Sequence, residues 1–140
     1  MYKDIKINKI LVAVDGSENS KRAGDYAIKM GQELSADVMA LYVVPAGKYF
    51  PEQNPEKGTT HDYSYLDKIS EQSVSAGVNL KTKIIEAESS VVDEIAGYAE
   101  KERIDLIVIG IRSVSEFRFM LGSTATGVVV SAPCPVLVVK

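Results

Sequence analysis

Two glycine-containing turns, twelve residues apart, hold the residues of this sequence whose types and spacing could bind a ligand. Gly110 ends an apolar run, and Gly122 opens a segment of helical pattern. The free N–H groups and the positive dipole end of a helix N-terminus attract anions. The sequence therefore predicts a phosphate site here, most simply for a nucleotide, although a plain tight turn is the alternative. Polar side chains that could complete the site are Arg112, Ser113, Ser115 and Arg118.

The sequence gives little support for other nucleotide-binding motifs, for catalysis or for a metal site. The sequence has no G-x-x-x-x-G-K-[ST] phosphate loop, and no G-x-G-x-x-G follows its first strand, so Walker-type and dinucleotide sites are not indicated. It contains one histidine, His61, and one cysteine, Cys134 between two prolines. That cysteine has the pattern of a small buried hydrophobe. We therefore predict no catalytic residue, no disulfide and no metal site.

Composition limits the class of protein. The chain has 140 residues, 46% of them hydrophobic, and a formal net charge of −3. This length fits a single domain over residues 1–140. The negative charge argues against a nucleic-acid binder. No apolar run approaches the roughly 20 residues needed to cross a bilayer, and the first residues are charged. We therefore expect a cytoplasmic protein without nucleic-acid or membrane partners.

Strand-like and helix-like segments alternate along the chain. Apolar runs predict strands at 10–14, 38–44, 106–109 and 136–139, and a less clean alternation predicts another strand at 80–85. Helical spacing predicts helices at 18–35 and 61–76, a third helix capped by Ser90, and a fourth over 123–132. Gly77 is predicted to stop the second helix, and the Pro- and Gly-rich segment 45–60 is predicted to be a long loop.

This alternation predicts an α/β fold, a doubly wound parallel sheet with helices on both faces. In such a sheet, the first and fourth strands lie side by side at the switch point. Ligands bind beyond the carboxyl ends of those strands. We therefore expect Asp15 and Gly110 to border one cleft.

Four segments, in this order and over nearly the whole chain, resemble the universal stress protein family. They are Ile10-Leu11-Val12-Ala13-Val14-Asp15-Gly16-Ser17, Leu106-Ile107-Val108-Ile109-Gly110, Leu121-Gly122-Ser123 and Ala132-Pro133-Cys134-Pro135-Val136-Leu137-Val138-Val139. The resemblance implies a five-stranded parallel sheet in the order 3-2-1-4-5 with four helices. It also implies dimerisation through the last strand. One branch of the family binds ATP and another does not.

The ATP-binding branch carries G-x2-G-x9-G-[ST] after the fourth strand, and this chain departs from that pattern. It has Gly110-x2-Ser113-x8-Gly122-Ser123, with serine at the second glycine and a spacer one residue shorter. Glycine permits backbone angles that cost energy for serine. A serine-rich loop can still cradle phosphate through its hydroxyl and backbone N–H groups.

The resemblance also assigns parts of a nucleotide to residues. Ala13 would line the adenine pocket, Val43 would meet adenine through its backbone, and Asp15 would contact the ribose or adenine side. Asp15 could instead be a turn and cap residue. Gly110, Arg112 and Ser113 would approach the ribose and phosphates, although Arg112 could be a solvated loop charge. The residues implied for the phosphates at the helix N-terminus are Gly122, Ser123 and Thr124, of which Ser123 could be only an N-cap.

Three functions follow from these features. The first is a small stress-response or signalling protein that binds ATP or AMP, with or without Mg²⁺, and acts as a homodimer. The second is a dimeric scaffold of the same fold that binds no nucleotide. The third is a slow ATPase in which Asp15 assists a metal ion, but the lack of a nucleophile–base pair argues against catalysis as the main role. The dimer would form because the apolar strand Val136 to Val139 ends the sheet and invites pairing, unless a helix covers it.

Overall fold

A computed structural model describes residues 4–45, 63–111 and 122–140. Its elements are β1 (Lys9–Val14), α1 (Glu18–Leu34), β2 (Asp37–Val44), α2 (Ser64–Ala76), β3 (Leu80–Glu86), α3 (Val91–Lys101), β4 (Leu106–Gly110), α4 (Ser123–Ser131) and β5 (Val136–Val139). The predicted Arg112 and Ser113, together with His61 and nearly all of the 45–60 loop, lie outside the described residues.

The five strands form one parallel sheet in the order β3-β2-β1-β4-β5. This confirms both the predicted fold class and the predicted strand order. β1 pairs with β4 in a register that sets Ala13 opposite Ile109. The switch point therefore lies between these strands, and the segments that follow them, at Asp15 and Ile111, leave the sheet side by side.

Helices cover both faces of the sheet. Alternate residues of β1, β2 and β4 pack under α1 and α2, and the remaining residues pack under α3 and α4. Strands buried on both faces need apolar residues at nearly every position. This requirement explains the apolar runs by which β1, β2 and β4 are recognised in the sequence.

The structure confirms two helix ends that residue types alone predicted. The Ser90 hydroxyl accepts the Asp93 N–H at 3.0 Å, and Gly77 ends α2 in the left-handed conformation, both as predicted. At α4 the structure corrects one interpretation. Gly122 is the N-cap residue and Ser123 is the first helical residue, so Ser123 does not cap α4.

Close packing explains the glycine inside α4. A Cβ at Gly127 would lie 2.7 Å from a methyl carbon of Val92 on α3. Glycine lowers helix propensity, yet here it lets the two helices approach. The N-termini of α3 and α4 are thereby brought close together at the carboxyl edge of the sheet.

The two edge strands differ in chemistry. The side chains of Lys81, Thr82 and Lys83 on β3 are exposed. On β5, Val136, Leu137 and Val138 are half-buried and Val139 is buried. Within the described residues, no helix is both long and apolar enough to cross a membrane.

Candidate functional site

A cavity of about 350 Å³ lies at the carboxyl ends of β1, β2 and β4, where α3 and α4 begin. This volume falls within the roughly 300–1,000 Å³ range of small-molecule sites. A smaller hollow of about 130 Å³ lies near the opposite end of the sheet, around Lys9, Asp37 and Tyr98. The residues that line the larger cavity are Ala13, Val14, Asp15, Ser17, Ser20, Leu41, Tyr42, Val43, Pro45, Val91, Ile95, Ile109, Gly110, Thr124 and Ala125.

The floor of the cavity is apolar. Ala13, Leu41, Val43 and Ile109 belong to the sheet face under α3 and α4. Val91 and Ile95 of α3 form one wall, and Thr124 and Ala125 of α4 lie on the other side. An apolar slot with polar groups at one end suits a ligand that combines a flat ring with a charged tail.

Hydrogen bonds to Ser17, Ser20 and Tyr42 hold Asp15 at the cavity. Its backbone N–H donates to the Ser20 hydroxyl at 3.2 Å, and its carboxylate Oδ1 accepts the Ser17 N–H at 2.9 Å. Its carbonyl oxygen accepts the Tyr42 hydroxyl proton at 3.2 Å. The turn that the sequence suggested for Asp15 is therefore present, and this turn fixes the carboxylate at the rim.

Gly110 is a glycine because of α1. A Cβ at this position would lie 2.6 Å from the carbonyl carbon of Asn19 and 3.0 Å from the Ser20 nitrogen. The Asn19 side-chain amide also donates to the Ile111 carbonyl. Gly110 borders the cavity as expected, but the space that its missing side chain leaves is filled by the first turn of α1.

The backbone of Val43 faces β1. The Val44 carbonyl accepts the Ala87 N–H at 2.8 Å, on the β3 side of the strand. Peptide groups alternate in direction along a strand, so those of Val43 point the other way. β1 ends in register with Tyr42. The Val43 carbonyl therefore lies just beyond the last pair of the β1–β2 ladder, at the cavity.

The two helices that begin at the cavity have different N-termini. On α3, Ser90 caps the helix, Asp93 and Glu94 lie in its first turn, and Glu94 Oε1 accepts the Glu88 N–H at 3.0 Å. On α4, no described side chain caps the helix and its first turn holds no acidic residue. The positive end of α4 is therefore not neutralised by these groups, whereas that of α3 is occupied by carboxylates.

The comparison with known protein families decides the membership of this chain. A model of the universal stress protein family matches residues 6–140. The chain belongs to the universal stress protein family. The predicted resemblance is thereby confirmed, and the observed strand order is the one that it implied.

Relatives match this universal stress protein over nearly its whole length. A universal stress protein of Methanocaldococcus jannaschii is 34% identical over 142 residues, which cover 94% of this chain and 81% of the relative. The solved structure of the universal stress protein UspA from Lactobacillus plantarum is 28% identical, with a TM-score of 0.78 and coverage of 98% and 100%. A universal stress protein solved in complex with cAMP is 25% identical, with a TM-score of 0.71 and coverage of 96% and 98%.

The structure brings most of the predicted site residues together. Five of the nine line the cavity: Ala13, Asp15, Val43, Gly110 and Thr124. Gly122 and Ser123 immediately precede Thr124 but are not among the lining residues, and Arg112 and Ser113 lie outside the described residues. Sequence reasoning missed several lining residues, among them Ser17, Ser20, Tyr42, Val91 and Ile95. Their common signal is a position at the end of a strand or in the first turns of the next helix.

The single cysteine of the sequence, and the side-chain types that can bind a metal ion, bear on chemistry outside the cavity. Cys134 is half-buried, and burial raises the pKa of its thiol, with a smaller contribution from Asp105. A raised pKa disfavours the nucleophilic thiolate. Across residues 4–45, 63–111 and 122–140, no cluster of three or more His, Cys, Asp or Glu side chains could hold a metal ion.

Proposed function

We propose that this universal stress protein binds an adenine nucleotide, ATP or AMP, and acts as a cytoplasmic homodimer in stress response or signalling. One observation carries the proposal. A cavity of about 350 Å³ joins an apolar floor to the N-terminus of α4, which no described side chain caps, with the Asp15 carboxylate fixed at its rim. The relative solved with cAMP supports a nucleotide as the ligand.

The adenine end of the ligand would occupy the apolar floor. Ala13 and Ile109 offer a flat surface for the ring, and the Val43 backbone offers hydrogen bonds at its edge. The exocyclic amine of adenine is a donor where guanine has a carbonyl. A carbonyl at Val43 therefore favours adenine over guanine. Asp15, held by Ser17 and Ser20, is placed to accept hydrogen bonds from ribose hydroxyl groups.

The phosphate end would lie at the start of α4. The N–H groups of a first helical turn and the helix dipole stabilise anions, each helix-end charge interaction contributing about 0.3–1 kcal/mol. Gly122, Ser123 and Thr124 supply these N–H groups, and Mg²⁺ would accompany ATP. Gly110, Arg112 and Ser113 complete the proposed phosphate contacts.

Nucleotide extraction followed by titration calorimetry tests this proposal. We expect adenine nucleotide to be released from freshly purified protein by heat or acid. After its removal, AMP and ATP should bind, with and without magnesium, more tightly than GTP. Absence of both co-purified nucleotide and a thermal shift with millimolar ATP and magnesium would reject it.

A dimeric scaffold that binds no nucleotide is the second candidate. It rests on Ser113 and on the short spacer between Ser113 and Gly122. In that case, Ser113→Gly combined with one inserted spacer residue should create nucleotide binding in a protein that otherwise has none. If the altered protein also failed to bind nucleotide, the loop departure would not be the reason.

The proposed homodimer uses β5. This strand lies at the sheet edge with three of its four residues only half-buried. At the end of the preceding helix, Val130 is 81% exposed. An apolar edge strand with free peptide groups is a template for pairing. Antiparallel pairing of two copies about a two-fold axis would satisfy both edges.

A further inference from the structure

Tyr42 contacts Asp15 from the face of the sheet that packs under α1 and α2. Its side chain is 5% exposed and belongs to the core under α1 and α2, opposite the face that carries Ala13 and Val43. Its hydroxyl donates to the Asp15 carbonyl at 3.2 Å. A buried phenol thus fixes the backbone of a residue at the cavity rim.

The position of the Tyr42 ring is itself fixed. It packs edge-to-face on Tyr63, with ring centroids 5.0 Å apart and planes inclined by 76°. Such pairs contribute beyond their buried area. Because Tyr63 lies directly before α2, the ring of Tyr42 is held between the sheet and the start of that helix.

The anchors of Asp15 come from different elements. Ser17 belongs to the same turn as Asp15 and Ser20 belongs to α1, so both hydrogen bonds are local. Tyr42 comes from the neighbouring strand, twenty-seven residues away. Its hydrogen bond therefore sets the turn relative to the sheet, and so relative to the cavity floor.

We propose that Tyr42 is a positioning residue of the nucleotide site: it holds the Asp15 carboxylate where that group can bond the ribose hydroxyl groups. This inference rests on the proposed function. A net hydrogen bond of this type changes an affinity about threefold to tenfold when it acts only in the bound geometry. Tyr42→Phe, which removes only the hydroxyl group, should therefore weaken AMP binding by about that factor.

Tyr65→Phe is the matched control. Tyr65 is also a tyrosine that is 5% exposed, and its hydroxyl donates to a backbone carbonyl, that of Lys21, at 3.1 Å. It lies away from the cavity lining. Both variants should lower Tm by similar amounts, but Tyr65→Phe should leave AMP affinity unchanged. A merely structural role of Tyr42 would give the same result for both.

Two measurements separate positioning from general loss of stability. In a double-mutant cycle, Tyr42→Phe should have little further effect on AMP affinity in an Asp15→Ala background, because the side chain that it positions is gone. In the unliganded protein, Tyr42→Phe should speed amide hydrogen exchange at Ser17, whose N–H bonds the Asp15 carboxylate. Tyr65→Phe should not.

Each outcome decides the inference. Weaker AMP binding that disappears in the Asp15→Ala background, together with faster Ser17 exchange, supports it. Unchanged AMP affinity in Tyr42→Phe, the same loss in both backgrounds, or unchanged Ser17 exchange overturns it while the proposed function stands. If the unsubstituted protein binds neither AMP nor ATP, the proposed function is rejected and this inference with it.

Discussion

Gly110 and Asn19 lie in direct backbone contact: a Cβ at position 110 would stand 2.6 Å from the Asn19 carbonyl carbon. The contact seats the first turn of α1 on the end of β4. Because the Asn19 amide also donates to the Ile111 carbonyl, α1 fixes the end of β4 by two contacts. A glycine that suggests room for a ligand is therefore required first by the packing of the fold.

Gly110→Ala should destabilise the protein by about 2 kcal/mol, since overpacking against backbone cannot be relieved by a rotamer change. Urea denaturation measures this loss. Gly97→Ala is the control. Gly97 lies within α3 and nothing stands within 4 Å of its Cβ position, so the added helix propensity should stabilise the protein by about 0.5–1 kcal/mol. Equal effects of the two substitutions would contradict the role given to Asn19.

Thr124→Asp should raise the stability of the protein while it weakens nucleotide binding. A carboxylate in the first turn of α4 interacts favourably with the helix dipole, by about 0.3–1 kcal/mol. The same charge would repel a phosphate at the proposed site, and AMP affinity should fall at least about tenfold. Calorimetry with AMP and with adenosine measures both effects. Adenosine lacks the phosphate, so its binding should change little, and an equal loss for both ligands would place the phosphate elsewhere.

Val138→Pro should dissociate the proposed dimer without unfolding the chain. The carbonyls of Pro135 and Val139 accept the N–H groups of Ile107 and Ile111 at 3.0 and 2.9 Å, so the peptide groups of Val136 and Val138 face the open edge. Proline at 138 removes an outward donor rather than a hydrogen bond of the β4–β5 ladder, at the expense of some packing of Val138 on the core. Sedimentation velocity should show a monomer, with unchanged circular dichroism.

The control for that substitution is Leu137→Pro. The N–H of Leu137 faces β4, so proline there removes a ladder hydrogen bond and should cost about 1–3 kcal/mol of folding stability. If Val138→Pro left a dimer intact, the dimer would use another surface.

Stability should fall at alkaline pH through Tyr65. Burial raises the pKa of its phenol well above the ordinary value of 10.0, and Asp25 adds to the shift. Above about pH 10 the unfolded chain loses this proton while the native state keeps it, so the free energy of unfolding decreases as pH rises. Tyr65→Phe removes this component. The stability advantage of the unsubstituted protein over this variant should therefore shrink between about pH 9 and pH 11, whereas a constant difference would contradict the role of Tyr65.

The elements and their order could be predicted because their signals are local or periodic. Buried parallel strands require apolar runs, Ser90 and Gly77 mark helix ends, and alternation of strands and helices restricts the topology. The meeting of Asp15 and Gly110 at one cavity followed from the switch-point rule alone. These parts of the site are consequences of topology rather than of particular contacts.

The remaining parts depend on distances between segments far apart in sequence. The sequence around Gly110 does not show that the Asn19 backbone occupies the space where a side chain would lie. The sequence around Tyr42 does not show that its hydroxyl bonds the Asp15 carbonyl. Ile95 of α3 belongs both to the core and to the cavity wall, and helical periodicity does not distinguish these two positions. Ser123 has the residue type of a cap, yet Gly122, with φ 82°, takes that position.

The unlike edges of the sheet set a limit on stoichiometry. β3 presents exposed Lys81 and Lys83 along its outer side, and two such edges brought together would repel each other. β5 presents valines and a leucine. A chain that pairs through β5 but not through β3 can bind one further copy by the proposed strand pairing. The continuous sheet of such a pair would end at both sides in a β3 strand with exposed lysines. The fold thus permits a closed pair while opposing growth into a fibre.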